Sequence, residues 1–203
     1  MRLPPPDSRL ARFAYGGAIR LVRAMAAVAA RRSLALELPA HFFAPVRVGG
    51  PLVAGLAAEI VYDHPLVRAR VRAPGPFPRL LVLPAGRALE LLPSLERRLG
   101  WKEMGEVAPG AATAPEAREG AVVLVPGGAL APEVGDLAEA LRAQVARLRR
   151  FAVLVDEAGV TLVARTPEAH RFDARTLAEA LDAAQALTPA VRLAAAAGPE
   201  PAP

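Results

Sequence analysis

The chain has no cysteine and no asparagine, three serines, one lysine (Lys102), and nine aromatic residues among 203. Each shortage excludes something. Without cysteine there is no disulfide scaffold, no thiolate-bound zinc, no iron–sulfur site and no thiol nucleophile. The three serines, Ser8, Ser33 and Ser94, stand in neither a G-x-S-x-G nor an S-x-x-K setting. The scarcity of aromatics argues against a base-stacking platform for single-stranded nucleic acid. Long uncharged runs are missing from the N-terminal segment, where 13–19 and 24–30 are the longest. A membrane span needs about 20 apolar residues. Arg20 and Arg23 also interrupt any signal-peptide core.

What is present is arginine, alanine, proline and a 53% apolar fraction, enough for a packed core and too apolar for wholesale disorder. The arginine preference over lysine runs the whole length and fits a GC-rich bacterial genome. Its distribution is more informative. Residues 1–50 carry eight arginines against Asp7 and Glu37, a net charge of +6, and the remaining chain carries −1.

The periodicity predicts an N-terminal helix from Asp7 to about Arg32, with Asp7 or Ser8 as its cap. Arg9, Arg12, Arg20, Arg23 and Arg31 then share an arc of about 100°. Two readings follow. In one, the apolar side docks on the domain and the arginines face water. In the other, those five arginines contact an acidic protein partner or anionic lipid.

Residues 34–48 read as extended, with Gly49-Gly50-Pro51 as a turn. Leu52–Tyr62 and Leu66–Arg72 form an expected hairpin across Asp63-His64-Pro65. Pairing Tyr62 with Val67 sets Ile60 against Ala69 and Ala58 against Val71 on one apolar face. It sets Glu59 against Arg70 on the other. Arg68, Arg70 and Arg72 then project as a row of about 6.6–6.8 Å pitch. That row is a possible anion contact, including a nucleic-acid phosphate backbone.

Further on, Leu80–Leu83 reads as a short strand, 87–99 as a helix broken at Pro93, and 105–120 as a loop or linker. Ala121–Val125 is a strand and Pro132–Arg150 a helix. Phe151–Val155 and Val160–Arg165 flank a four-residue loop, DEAG. A last helix is capped by Asp173, and Pro189 interrupts or bends the chain before the Ala-rich tail. The fold class is α+β: an N-terminal helix, a small antiparallel sheet, then strand, helix, hairpin and helix in one or two small layers. The expected divisions are a basic helix at 1–33, a β-rich half at 34–104, the loop at 105–120, an α+β half at 121–197 and a disordered tail at 198–203.

Chemical motifs are sparse. His41, His64 and His170 have no second histidine at ligand spacing. Val125-Pro126-Gly127-Gly128 has the outline of a phosphate loop without its lysine, and Glu133 would sit where the phosphate belongs. No catalytic residue, cofactor or metal is indicated.

The run GGPLVAGLAAEIVYDHPLVRARVRAPGPFPRLLVLPA, the strand AVVLVPGG and the VDEAGV hairpin resemble, across about 49–187, a family of bacterial α/β domains of unknown function. Many of its members carry membrane-spanning helices ahead of the domain. The resemblance implies a soluble domain at the inner membrane face, with the basic helix in place of a span. It brings no catalytic residues. The expectation is therefore a non-enzymatic binding or scaffolding domain, cytoplasmic or peripheral to the membrane. The alternatives are nucleic-acid binding through Arg68, Arg70 and Arg72, and an enzyme whose site is assembled from residues distant in sequence. Oligomeric state is left open.

Overall fold

The structure is a computed structural model that describes residues 18–38, 45–52, 55–73, 75, 77–84, 91, 93–95, 104–106, 121–126, 132–166 and 168–196. Helix α1 is Ile19–Arg32. Strands β1 (Ala35–Glu37), β2 (Val46–Pro51), β3 (Ala57–Asp63), β4 (Leu66–Arg72), β5 (Leu80–Pro84), β6 (Met104–Glu106) and β7 (Ala121–Pro126) follow. Then come α2 (Pro132–Leu148), β8 (Ala152–Asp156), β9 (Gly159–Arg165), a 3-10 turn at Glu168–Arg171 and α3 (Ala174–Ala196). The fold is α+β. Its strands make a single antiparallel sheet in the order β1-β2-β3-β4-β9-β8-β5-β7-β6.

Alternation along the strands sorts residues onto two faces. One face carries Val46, Val48, Ile60, Val67, Ala69, Val71, Val153, Val155, Leu162 and Ala164, which form one core with all three helices. The opposite face is divided. Leu66, Leu81, Leu83, Leu124, Leu154 and Val163 make a second apolar cluster with Leu91 and Leu95. Beside it, on β2, β3 and β4, the same face is charged.

Helix α1 is docked. Leu21, Val22, Met25, Val28 and Ala29 are buried, at the spacing of one helical stripe. They pack into the same core as Leu177, Leu181 and Ala184 of α3. The helix stops at Ser33, which takes a left-handed conformation (φ 55°) and donates its N–H to the Ala29 carbonyl. Arg31 and Arg32 occupy the last turn, where the helix dipole favours cations.

The predicted β3–β4 register is the observed one. Tyr62 faces Val67, Ile60 faces Ala69, Glu59 faces Arg70 and Ala58 faces Val71. The connection is a two-residue turn at His64-Pro65, joined by a cis peptide bond.

Several local expectations change. Gly49-Gly50-Pro51 is not a turn but the end of β2, paired with Ala57–Glu59. A Cβ at Gly50 would approach Leu34 Cδ2 to 3.1 Å, a tight contact that the leucine would have to yield to. The reversal comes later, where the Leu52 N–H donates to the Leu56 carbonyl at 2.7 Å and Gly55 takes φ 72°. The predicted DEAG loop is a two-residue turn, since Asp156 pairs with Gly159. Gly159 adopts a positive φ, 120°, and a Cβ there would collide with the Val71 carbonyl oxygen, so no side chain fits. Helix α3 runs through Pro189 without the interruption expected there. The first residues of the predicted 105–120 loop belong to β6, which pairs with β7. Of the predicted 87–99 helix, only Leu91 and 93–95 fall in the described part.

Asp173 caps α3 as expected. Its Oδ1 accepts the Thr176 N–H at 2.7 Å and the Thr176 hydroxyl at 2.8 Å. These bonds hold the carboxyl below the usual aspartate range.

Docking of α1 can be measured. Leu21→Ala should lower stability to urea by about 3 kcal/mol, the usual cost of a buried leucine truncated to alanine. Arg20→Ala, on the exposed side, should change it by less than about 0.5 kcal/mol. Equal, small effects would mean that the helix is not part of the core.

Candidate anion site

Two groups of arginines were singled out by sequence, and they lie on opposite sides of the sheet. Arg20, Arg23 and Arg31 are on α1, over the core face. Arg20 and Arg31 are exposed and Arg23 is half-buried. Arg32, next to them, pairs with Asp182 of α3 at 2.6 Å. Arg9 and Arg12 lie outside the described residues.

Arg68, Arg70 and Arg72 project from β4 on the other face, as their alternation requires. They are brought together with Arg47 of β2, Glu59 and Val61 of β3 around a depression of about 120 Å³. Arg47 was not among the predicted site residues. It reaches the row because β2 lies beside β3, with Arg47 opposite Val61. That pairing joins residues across a turn the sequence reading placed elsewhere.

The three arginines of the row are not equivalent, and register explains why. Arg70 stands between Glu59 on β3 and Thr161 on β9. Its Nε donates to Thr161 Oγ1 at 2.8 Å, and a terminal nitrogen lies 3.7 Å from Asp156. Arg72 donates to Glu59 at 2.8 Å. Glu59 also lies 3.8 Å from Arg47, so one carboxylate serves two guanidiniums and the predicted Glu59–Arg70 pairing of backbones does not become an ion pair.

Arg68 stands between Val61 and Val163. Neither neighbour can accept a hydrogen bond. Its Nε is buried and has no hydrogen-bond partner. Burial, reinforced by the positive charge of Arg70, pulls its pKa below the ordinary arginine value. The guanidinium nevertheless stays charged at neutral pH, since arginine gives up its proton only in strongly alkaline solution. Asp63 and Glu59 offset part of the cost of holding that charge there, and an external anion would offset more of it.

A second cluster escaped the sequence reading. The Tyr62 hydroxyl lies 3.0 Å from His170 Nε2 and 3.5 Å from His64 Nδ1. The Tyr62 and His170 rings meet edge to face, with centroids 5.9 Å apart. The fold joins the β3–β4 hairpin to the 3-10 turn here, across 108 residues, and no local spacing announces it. Burial, with His64 adding to it, lowers the His170 pKa. Burial, with Asp63 adding to it, raises that of Tyr62. Among the described residues no group of three or more histidines or carboxylates is arranged to hold a metal. His41 lies outside them.

The His170 shift has a definite sign. The native state disfavours the imidazolium relative to the unfolded chain, which protonates near pH 6.5. Its contribution is complete above that pH and declines as pH falls through 6.5, until the folded group protonates too. Denaturant titrations between pH 7.5 and 5 should show a shallower loss of stability for His170→Gln than for the parent chain. An identical slope would refute the assignment.

No described helix is long and apolar enough to cross a membrane. No protein-family model, curated protein or solved structure matches the chain, so the arginine-lined depression is interpreted from its own geometry.

Proposed function

We propose that this protein is a non-enzymatic binding domain that holds an anionic group on the arginine-lined face of its sheet. The observation that supports it is Arg68: a guanidinium with a buried, unbonded Nε, set among Arg47, Arg70 and Arg72 with Glu59 as the carboxylate in the lining. Guanidinium forks suit planar and tetrahedral oxyanions, and such charge-assisted bonds are about twice as strong as neutral ones. Fixed strands position these groups, so little ordering is needed on binding.

Thermal unfolding of the parent chain and of Arg68→Met in phosphate, against chloride at equal ionic strength, tests this. A ligand at a hundred times its Kd adds about 2.7 kcal/mol, or roughly 5–10 °C at this chain length. Phosphate also stabilises proteins generally by exclusion from their surface, and that part should appear in both proteins. The parent should gain several degrees more than Arg68→Met. The variant should start about as stable, because the half-buried cation it removes has a buried Nε without a hydrogen-bond partner. Equal gains would refute the reading.

A second reading is supported by Arg20 and Arg31, which are exposed on α1. The apolar stripe of that helix is taken up by the core, so contact with an acidic partner or with anionic lipid at the inner membrane face would be purely electrostatic. Co-sedimentation with anionic vesicles should then vanish by about 0.5 M salt and weaken in the double variant Arg20→Ala, Arg31→Ala. Binding that survives both changes would exclude it.

A further inference from the structure

We infer that Glu59 is a displaceable internal counter-ion of the arginine-lined face: an external anion takes its place on Arg72, and the released carboxylate swings toward β2, over Gly49; the inference rests on the anion-binding reading above. Three carboxylates act on this face. Asp156 lies 3.7 Å from Arg70, and its Oδ1 is also tied to its own turn by the Ala158 N–H at 3.0 Å. Asp63 stands opposite Leu66 at the hairpin end of β3 and acts on Arg68 from there. Of the three, Glu59 is the one that lines the depression.

The groups that hold Glu59 are the groups an anion would seek. Glu59 accepts a hydrogen bond from Arg72 at 2.8 Å and lies 3.8 Å from Arg47. Among the described residues these two arginines are its hydrogen-bond and ion-pair partners. Both are exposed, so an oxyanion can reach them. Ion pairs with exposed partners are weak, and exchanging one anion for another on the same guanidinium costs little. Arg70 differs. Its partners, Thr161 and Asp156, lie outside the lining of the depression. Arg70 therefore keeps its place while Arg72 changes partner.

Register supplies room for the released carboxylate. Glu59 stands between Gly49 on β2 and Arg70 on β4. Beyond Gly49 the same row reaches Ala35 on β1. On the β4 side the row is filled by Arg70. On the β2 side the next position has no side chain, and the one after it has only a methyl group. A carboxylate that leaves Arg72 can turn that way and stay beside Arg47, which projects from the same face of β2 two residues before Gly49. The glycine is not required by its backbone, since it is not among the positive-φ residues. A Cβ there would lie 3.4 Å from the Ala58 carbonyl oxygen, an ordinary contact. A valine at this position would occupy the space over β2 without changing the charge of the site.

The test uses the full chain with inorganic phosphate as the probe, at constant ionic strength made up with chloride. NMR follows the arginine Nε–Hε groups and the Glu59 carboxylate carbon. Phosphate should shift the Arg72 and Glu59 signals saturably, with the same midpoint as Arg68. Glu59→Gln should bind phosphate at least about threefold more tightly, because the internal pair no longer withholds part of the population from the ligand. Gly49→Val should bind it at least about threefold more weakly, because the state with Glu59 turned aside becomes rarer. Equal affinity in Glu59→Gln and the parent would overturn the inference. So would tighter binding in Glu59→Gln with Gly49→Val unchanged or tighter, since Glu59 would then act by its charge alone. Should Gly49→Val fail to fold, the parent chain decides: a Glu59 signal that stays still while Arg68 shifts overturns the displacement. Each of these results leaves the anion reading intact. If phosphate moves none of the three residues, that reading falls and the displacement with it.

Discussion

The pairing of β4 with β9 is the constraint on which the rest of the molecule depends. Six residue pairs, from Leu66 opposite Arg165 to Val71 opposite Val160, join the N-terminal meander to the C-terminal hairpin. Without that ladder β4 would be an open edge of hydrogen-bonding groups. With it, the four strands β1 to β4 continue into β9 and β8 as one sheet, and the core face becomes long enough for three helices. Gly159 makes the junction possible, because the hairpin turn passes directly against the Val71 carbonyl. The register also fixes the far face. A shift of β9 by one residue would turn Thr161 away from Arg70 and place Leu162 beside it.

The far face shows how one sheet solves two problems. Its β5, β7 and β8 portion is apolar and is covered around Leu91 and Leu95. Its β2, β3 and β4 portion carries alternating charge and needs no such cover. Arginine suits that role because its stem can lie along the valines while the guanidinium reaches the surface. The exposures agree: the side chains of Arg47 and Arg72 are 51% and 55% exposed, whereas Arg70 is only 16% exposed. Charge at the rim costs little, and charge at the centre requires partners. Arg70 has them, whereas the buried Nε of Arg68 has none.

How much of this was legible depended on whether the signal was local. The β3–β4 register could be read because both faces of the hairpin agree on it: three apolar pairs on one side and Glu59 against Arg70 on the other. Asp173 could be read because a cap acts within three residues. Gly49-Gly50-Pro51 misled because its glycines answer to tertiary packing, Gly50 against Leu34, and Pro51 sits at a strand end where its missing N–H does no harm. Pro189 misled for a related reason. Leu187 and Val191 on either side of it are buried in the core, and their packing holds the helix together across the break. The β4–β9 ladder and the Tyr62–His170 contact could not be read at all, since each joins residues about a hundred positions apart and leaves no period in the sequence.

The placement of charge illustrates the same limit from the other side. The whole-chain excess of +5 resides in the first 50 residues; of its described arginines most sit on α1, and Arg47 on β2 joins the arginine-lined face. The segment from 51 onward is nearly neutral, yet it supplies Arg68, Arg70 and Arg72. Neutrality over a hundred and fifty residues says nothing about a surface a few strands wide, because the sheet gathers cations from β2 and β4 and leaves most carboxylates on helices and turns elsewhere. Net charge governs long-range attraction and is screened within about 8 Å at physiological salt. A binding site works inside that distance. What matters there is which guanidinium nitrogen lacks a hydrogen-bond partner, and cross-strand register sets valines on both sides of Arg68, whose Nε has none.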